Sequence, residues 1–154
     1  MKTKLTLFVL ILAVALSGVG CATPNVMALS EVELAKMANE NNAEAQNEMG
    51  NRLRSKSKTH DDYAKAAVWY AKAASQGHAE AQNNLGELID AGYTGQRDDD
   101  VLAQAWFIIA SMNGSAKGKK NSIEHPKVET KAQGPEAKAI AMDMIQKNPK
   151  LLKK

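Results

Sequence analysis

Cysteine is nearly absent. Cys21 is the only one in 154 residues, so no intrachain disulfide can form and a disulfide-stapled scaffold is excluded. Aromatic residues make up only 5%, and no basic helix is interleaved with them, which argues against nucleic acid as a partner. His60-Asp61-Asp62 and His125 lack the spacing of metal ligands, and His78 reads as a turn residue after Gly77. Asp98-Asp99-Asp100 has the charge of a calcium loop without its alternation or closing glutamate. These carboxylates read better as helix-start residues before Val101. Ser55 and Lys58 show an S-x-x-K spacing, but in a polar stretch with no S-D-N or K-T-G partner. No catalytic residue, metal or cofactor is therefore expected. Long apolar runs are missing as well: Leu5 to Leu16 spans 12 residues, short of the ~20 that cross a bilayer.

What the chain does have is a repeat. Ala43-Glu44-Ala45-Gln46-Asn47-Glu48-Met49-Gly50 returns 36 residues later as Ala79-Glu80-Ala81-Gln82-Asn83-Asn84-Leu85-Gly86. Trp69-Tyr70 with Ala73 and Gly77 returns after 37 residues as Trp106-Phe107 with Ala110 and Gly114. A period of this length predicts a solenoid of helix pairs, each burying its apolar face against its neighbours.

Each unit divides into a helix A and a helix B. Ala45, Met49, Arg52 and Leu53 line one side of the first A helix, and Ala81, Leu85, Leu88 and Ile89 line its counterpart. Gly50 and Gly86 sit mid-helix, each at a cost of roughly 1 kcal/mol against alanine. The repetition of that cost points to close approach of a neighbouring backbone or aromatic ring. The first B helix is alanine-rich around Trp69 and Tyr70. The second carries Trp106, Phe107, Ile108 and Ile109, and is expected to be the most buried helix; both tryptophans are expected in the core.

The ends are read separately. Ser30 and Glu33 form a capping box with Leu29 and Leu34 as a hydrophobic staple, and Asn41 falls where Gly77 stands one unit later, a left-handed helix-closing position. The array is thus expected to open on a half repeat. After Gly114 the repeat degrades into a lysine-rich loop with a short helical piece, and a capping helix is expected from Pro135 to about Lys147. Its stripe is Ala137, Ile140, Ala141, Met144 and Ile145. Residues 22–114 carry 8 basic against 13 acidic residues, and 115–154 carry 10 against 4. The lysine-rich tail is a candidate contact for an anionic surface.

The pattern A-x-A-Q-x-x-[ML]-G, a variable loop, then W-[YF]-x-x-A-x-x-x-G resembles the Sel1-like repeat family. These tetratricopeptide-related solenoids act mainly as adaptors. The resemblance covers Glu33 to about Asn121. The N-terminus resembles a bacterial lipoprotein signal: Lys2 and Lys4, the apolar run, then Gly20-Cys21, with Cys21 as the lipidated residue. Cleavage after Ala22 or Ala28, leaving a soluble periplasmic protein, is the alternative. Ala22 resembles the sorting pattern for the outer membrane.

The expected organisation is a signal peptide over 1–20, a lipid-anchored spacer over 21–29, and the solenoid over 30–121. A loop over 122–134 and a capping helix with tail over 135–154 complete it. The fold class is all-α: a short α/α solenoid of two helix pairs, with an N-terminal half-repeat cap and a C-terminal capping helix. The resemblance implies a non-enzymatic protein–protein interaction module in the bacterial envelope, an adaptor or an inhibitor of immunity type. A peptidoglycan-binding or β-lactam- or cell-wall-acting enzyme is the alternative. On a helical wheel, Glu44, Asn47, Asn51 and Arg54 in the first A helix, and Glu80, Asn83, Glu87 and Asp90 in the second, lie opposite the apolar stripe. Those eight are the expected partner-binding residues.

Overall fold

The computed structural model describes residues 25–56, 59–95, 100–124 and 133–153. The expected leader, Cys21, the Ala22 cleavage point, Lys58, Asp98-Asp99 and His125 lie outside the described residues. The described residues form seven α-helices and no strand: α1 Glu31–Asn39, α2 Ala43–Lys56, α3 His60–Ala74, α4 Ala79–Asp90, α5 Asp100–Met112, α6 Ala116–Glu124 and α7 Gln133–Lys147. Each of α1 to α5 packs on the next, and α7 packs on α5. No described helix is long and apolar enough to cross a membrane.

Local chemistry sets the helix boundaries. Ser30 Oγ accepts from the Glu33 N–H at 3.3 Å while the Glu33 carboxylate accepts from the Ser30 N–H at 3.1 Å. This is the expected capping box, and it starts α1. Asn41 closes α1 with φ 66°, as Gly77 (φ 83°) and Gly114 (φ 89°) close α3 and α5. The left-handed position thus recurs at the repeat spacing, filled once by asparagine.

Two ring-on-glycine contacts bring the A and B helices of each pair together. A Cβ built on Gly50 would lie 2.5 Å from the Tyr70 ring, and one on Gly86 would lie 2.7 Å from the Phe107 ring. Tyr70 is fully buried and Phe107 2% exposed. The tryptophans beside them are only half-buried. Trp69 packs on the cluster of Leu34, Ala38 and Ala45, and Trp106 bridges to the outer cluster around Ile109.

The most buried helix is α4, with eight buried residues against six in α5, which corrects the expectation for the second B helix. The reason is position. Helix α4 packs on α3, α5 and α6 and also meets α2 through Asn84 and the C-terminal segment through Gln82, whereas α5, first by apolar content, packs on α4, α6 and α7. The C-terminal helix begins at Gln133, two residues before Pro135. It docks on the outer side of α5, where Ala105 and Ile109 meet Ala141 and Leu151. Behind α5, the lysine-rich segment forms a further A-type helix, α6. It runs to Glu124, three residues past the expected limit of the solenoid.

Candidate functional site

The polar side of the A helices is a ladder of side-chain hydrogen bonds that repeats with the units. The N-cap residue of each A helix is the starting rung. Asn42 Oδ1 accepts from the Ala45 N–H, His78 Nδ1 from the Ala81 N–H, and Ser115 Oγ from the Gly118 N–H. Two of these caps also reach back to the first turn of the preceding A helix. His78 Nε2 lies 2.8 Å from Glu44 Oε2, and Ser115 Oγ donates to Glu80 Oε1 at 2.8 Å.

The repeated glutamine joins the two layers. Gln46 Nε2 donates to the Ala38 carbonyl at 3.0 Å, and Gln82 Nε2 donates to the Ala74 carbonyl at 3.1 Å. Their Oε1 atoms accept from Gln76 Nε2 and Asn113 Nδ2, both at 2.7 Å. Gln82 also donates to the Leu151 carbonyl at 2.8 Å, tying the C-terminal tail to the array. The asparagines form the third rung. Asn84 Nδ2 donates to Asn47 Oδ1 at 3.2 Å, and Asn121 Nδ2 donates to Asn83 Oδ1 at 2.9 Å.

The eight expected contact residues therefore lie on one face, with unequal access to solvent. Asn47 is 7% exposed and Asn83 fully buried; both are committed to the ladder. Asn51 is half-buried: its Oδ1 accepts from Tyr70 Oη at 2.9 Å, and its Nδ2 donates to Glu48 at 3.1 Å. Arg54 donates to Glu87 Oε2 at 2.7 Å, an ion pair that links the two units. Asn83 donates to the other oxygen of Glu87 at 2.9 Å. Burial works against the Arg54 charge, but Glu87 outweighs it and holds the guanidinium pKa above its ordinary value. Glu44 is exposed, while Glu80 and Asp90 are half-buried. The accessible strip is thus charged: Glu44, Glu80, Arg54, Glu87 and Asp90, on a floor of bonded amides.

Wheel geometry did not reveal a second feature. An apolar groove of about 450 Å³ runs between α3 and α5, with Ala64, Val68 and Ala71 on one wall and Leu102 and Trp106 on the other. Met144 of α7 closes part of it. The spacing of Ala64, Ala67, Val68 and Ala71 (i, i+3, i+4, i+7) is the signal in the sequence that marks this face. Ser55 is exposed at the end of α2, where its hydroxyl donates to the Arg52 carbonyl. Among the described residues no group of three His, Cys, Asp or Glu side chains is placed to hold a metal.

The Sel1 repeat model matches residues 43–78 and 79–115, the two units delimited above. No curated protein gives a significant match. Among solved structures, the chain is similar to a protective antigen present in uropathogenic Escherichia coli strains and displaying an SLR fold. The identity is 34% and the TM-score 0.66, over 77% of this chain and 26% of that one. The chain thus spans about a quarter of the length of the solved protein it matches.

Proposed function

Two Sel1 repeats form the middle of this chain, and on that basis we propose that it is a non-enzymatic protein–protein interaction module of the bacterial cell envelope. Lipid on Cys21 would tether it to the outer membrane, facing the periplasm. The reading rests above all on the A-helix strip. Its charged groups are fixed relative to one another across two units, as the 2.7 Å Arg54–Glu87 pair illustrates. Preorganised polar groups limit the ordering cost of binding a partner. Such an array presents a surface for recognition.

The partner reads a mainly acidic strip, so its own contact surface is basic or rich in donors. An adaptor and an inhibitor of immunity type share this surface and differ in affinity, the inhibitor requiring tight stoichiometric binding. The test is a crosslinking pull-down from the native envelope, comparing wild type with a Glu44→Lys/Arg54→Glu variant. Both positions reach solvent, so the charge reversal leaves the buried amides in place. Capture by wild type alone supports the strip as the contact. Equal capture by both moves the contact elsewhere, and empty capture by both refutes the module. Cell fractionation of wild type against Cys21→Ala tests the anchor: an unchanged membrane fraction would refute lipid tethering.

A further inference from the structure

The ladder between A helices has a direction, and its last rung is inverted. In α2 and α4 three side chains accept hydrogen bonds from the elements that follow: Glu44 and Glu80, Gln46 and Gln82, Asn47 and Asn83. Thirty-seven residues after Glu80, Gln82 and Asn83 stand Lys117, Lys119 and Lys120. Helix α6 is a continuation of the A layer: Ser115 caps it as His78 caps α4, and Asn121 bonds Asn83 as Asn84 bonds Asn47. All three acceptor positions have thus become donors in the last A helix.

The same helix is open on its outer side. Lys117, Lys119 and Lys120 are exposed, and Lys120 lies 3.9 Å from the Glu124 carboxylate. Ile123 stands where Gly50 and Gly86 receive an aromatic ring, and it is 73% exposed. On the wheel, Ala116 and Ile123 lie at the centre of the exposed face, with Lys119 on one flank and Lys120 and Lys117 on the other.

We propose that this face of α6 docks an acidic amphipathic helix of a partner protein, lying alongside α6 much as α6 lies alongside α4. A neighbour in that position must bring acceptors where earlier units brought donors, and carboxylates supply them. An apolar side chain on the same helix covers Ile123. A lipid surface fits less well, because Ile123 is the one large apolar side chain this face exposes, too little area to insert among lipid chains. Among the described lysines near the C-terminus, Lys147 is paired with Asp143 at 2.7 Å. The site is separate from the acidic strip of α2 and α4, and the two call for partners of opposite charge.

The test is fluorescence anisotropy of the purified chain with a labelled synthetic helix carrying glutamates beside a leucine stripe. Its glutamine counterpart serves as control. The expected result is binding to the glutamate peptide that Lys117→Glu/Lys120→Glu weakens by about tenfold or more. Lys147→Glu/Lys150→Glu, which alters charge elsewhere, should change it by less than about twofold. Glu44→Lys/Arg54→Glu should bind the peptide at least as well as wild type, so failure of the A-helix reading does not register here. Equal loss in both lysine variants would overturn the proposal as diffuse attraction, as would equal binding of the glutamine peptide. Sedimentation of the chain with phosphatidylglycerol vesicles in the absence of peptide binding would overturn it in favour of a membrane contact. Circular dichroism of each variant confirms the helical fold.

Discussion

Gly50→Ala sets two effects of opposite sign against each other. Alanine in a helix interior is favoured over glycine by about 1 kcal/mol. Against this, the new methyl would lie 2.5, 2.7 and 2.9 Å from three atoms of the Tyr70 ring, where carbon atoms prefer about 3.5–4.0 Å. The ring has little freedom to retreat: Tyr70 is fully buried and its hydroxyl is bonded to Asn51. Overpacking of this kind costs typically 1–3 kcal/mol, and the anchored ring places it at the upper end. The net expectation is a loss of about 1–2 kcal/mol, or about 4–8 °C in thermal midpoint. Gly86→Ala meets the Phe107 ring at 2.7 Å and the Ala103 carbonyl at 3.2 Å, so it too should destabilise. Gly134→Ala meets nothing within 4 Å and should raise the midpoint slightly. Thermal melts followed by far-UV circular dichroism measure all three. Adding Tyr70→Leu to Gly50→Ala should restore part of the loss, a coupling of about 1 kcal/mol in a double-mutant cycle. A Gly50→Ala variant as stable as wild type, or additive behaviour in the cycle, would refute the ring-on-glycine account.

Other perturbations test the polar layers and the C-terminal seal. Gln82→Ala removes the buried amide that joins Ala74, Asn113 and Leu151; a loss of about 2 kcal/mol is expected in denaturant melts. Leu151→Ala empties a site that is 4% exposed and should cost about 2–3 kcal/mol by the same assay. Deleting residues 135–154 should lower the midpoint further or cause aggregation, because the outer side of α5 loses its cover; a truncated chain that melts like the parent would refute that. Burial, aided by Glu87 and Glu48 and opposed by Arg54, pushes the Tyr70 phenol up to about 12, against about 10 in the unfolded chain. The neutral phenol therefore contributes stability that is complete below about pH 10 and is lost as pH rises towards 12. The stability difference between wild type and Tyr70→Phe should shrink over that window, and a difference independent of pH would contradict the assignment.

Sequence periodicity was enough to locate the two helix pairs, the glycines that receive a ring, and Asn41 as a left-handed closer. Each of these depends on contacts within one unit or on a residue's own backbone. What the sequence concealed depends on neighbours outside the unit. A wheel places Asn47 and Asn83 opposite the apolar stripe, but in a stacked array that side meets the next A helix, so both asparagines are buried and bonded. Helix α6 was expected only as a short helical piece within a loop, for a related reason. Its apolar pattern is gone; what remains in register is its cap, with Asn42, His78 and Ser115 at spacings of 36 and 37 residues, and Asn121, 37 residues after Asn84. The apolar groove arises where α3 and α5 stand apart above Leu85 and Ile89, a separation that neither helix encodes alone.

The repeated side chains also bear on how the array ends. Each inter-unit hydrogen bond contributes about 1 kcal/mol net, but an acceptor or donor left buried and unpaired costs more than a bonded one gains. A ladder of this kind is therefore least stable at an end that still asks for another unit. At the first end the chain between Val26 and Leu29 folds back, and Arg52 donates to the Val26, Met27 and Leu29 carbonyls at 3.4, 3.3 and 2.8 Å. That end is closed by the chain itself. At the other end the acceptors are exchanged for lysines, whose ammonium groups stay hydrated at the surface and carry no desolvation cost while unpaired. The exchange also makes the end selective, since a helix bearing donors in the register of α4 or α6 would meet like groups there. A single substitution pattern thus both ends the stack and fixes the charge of whatever can extend it.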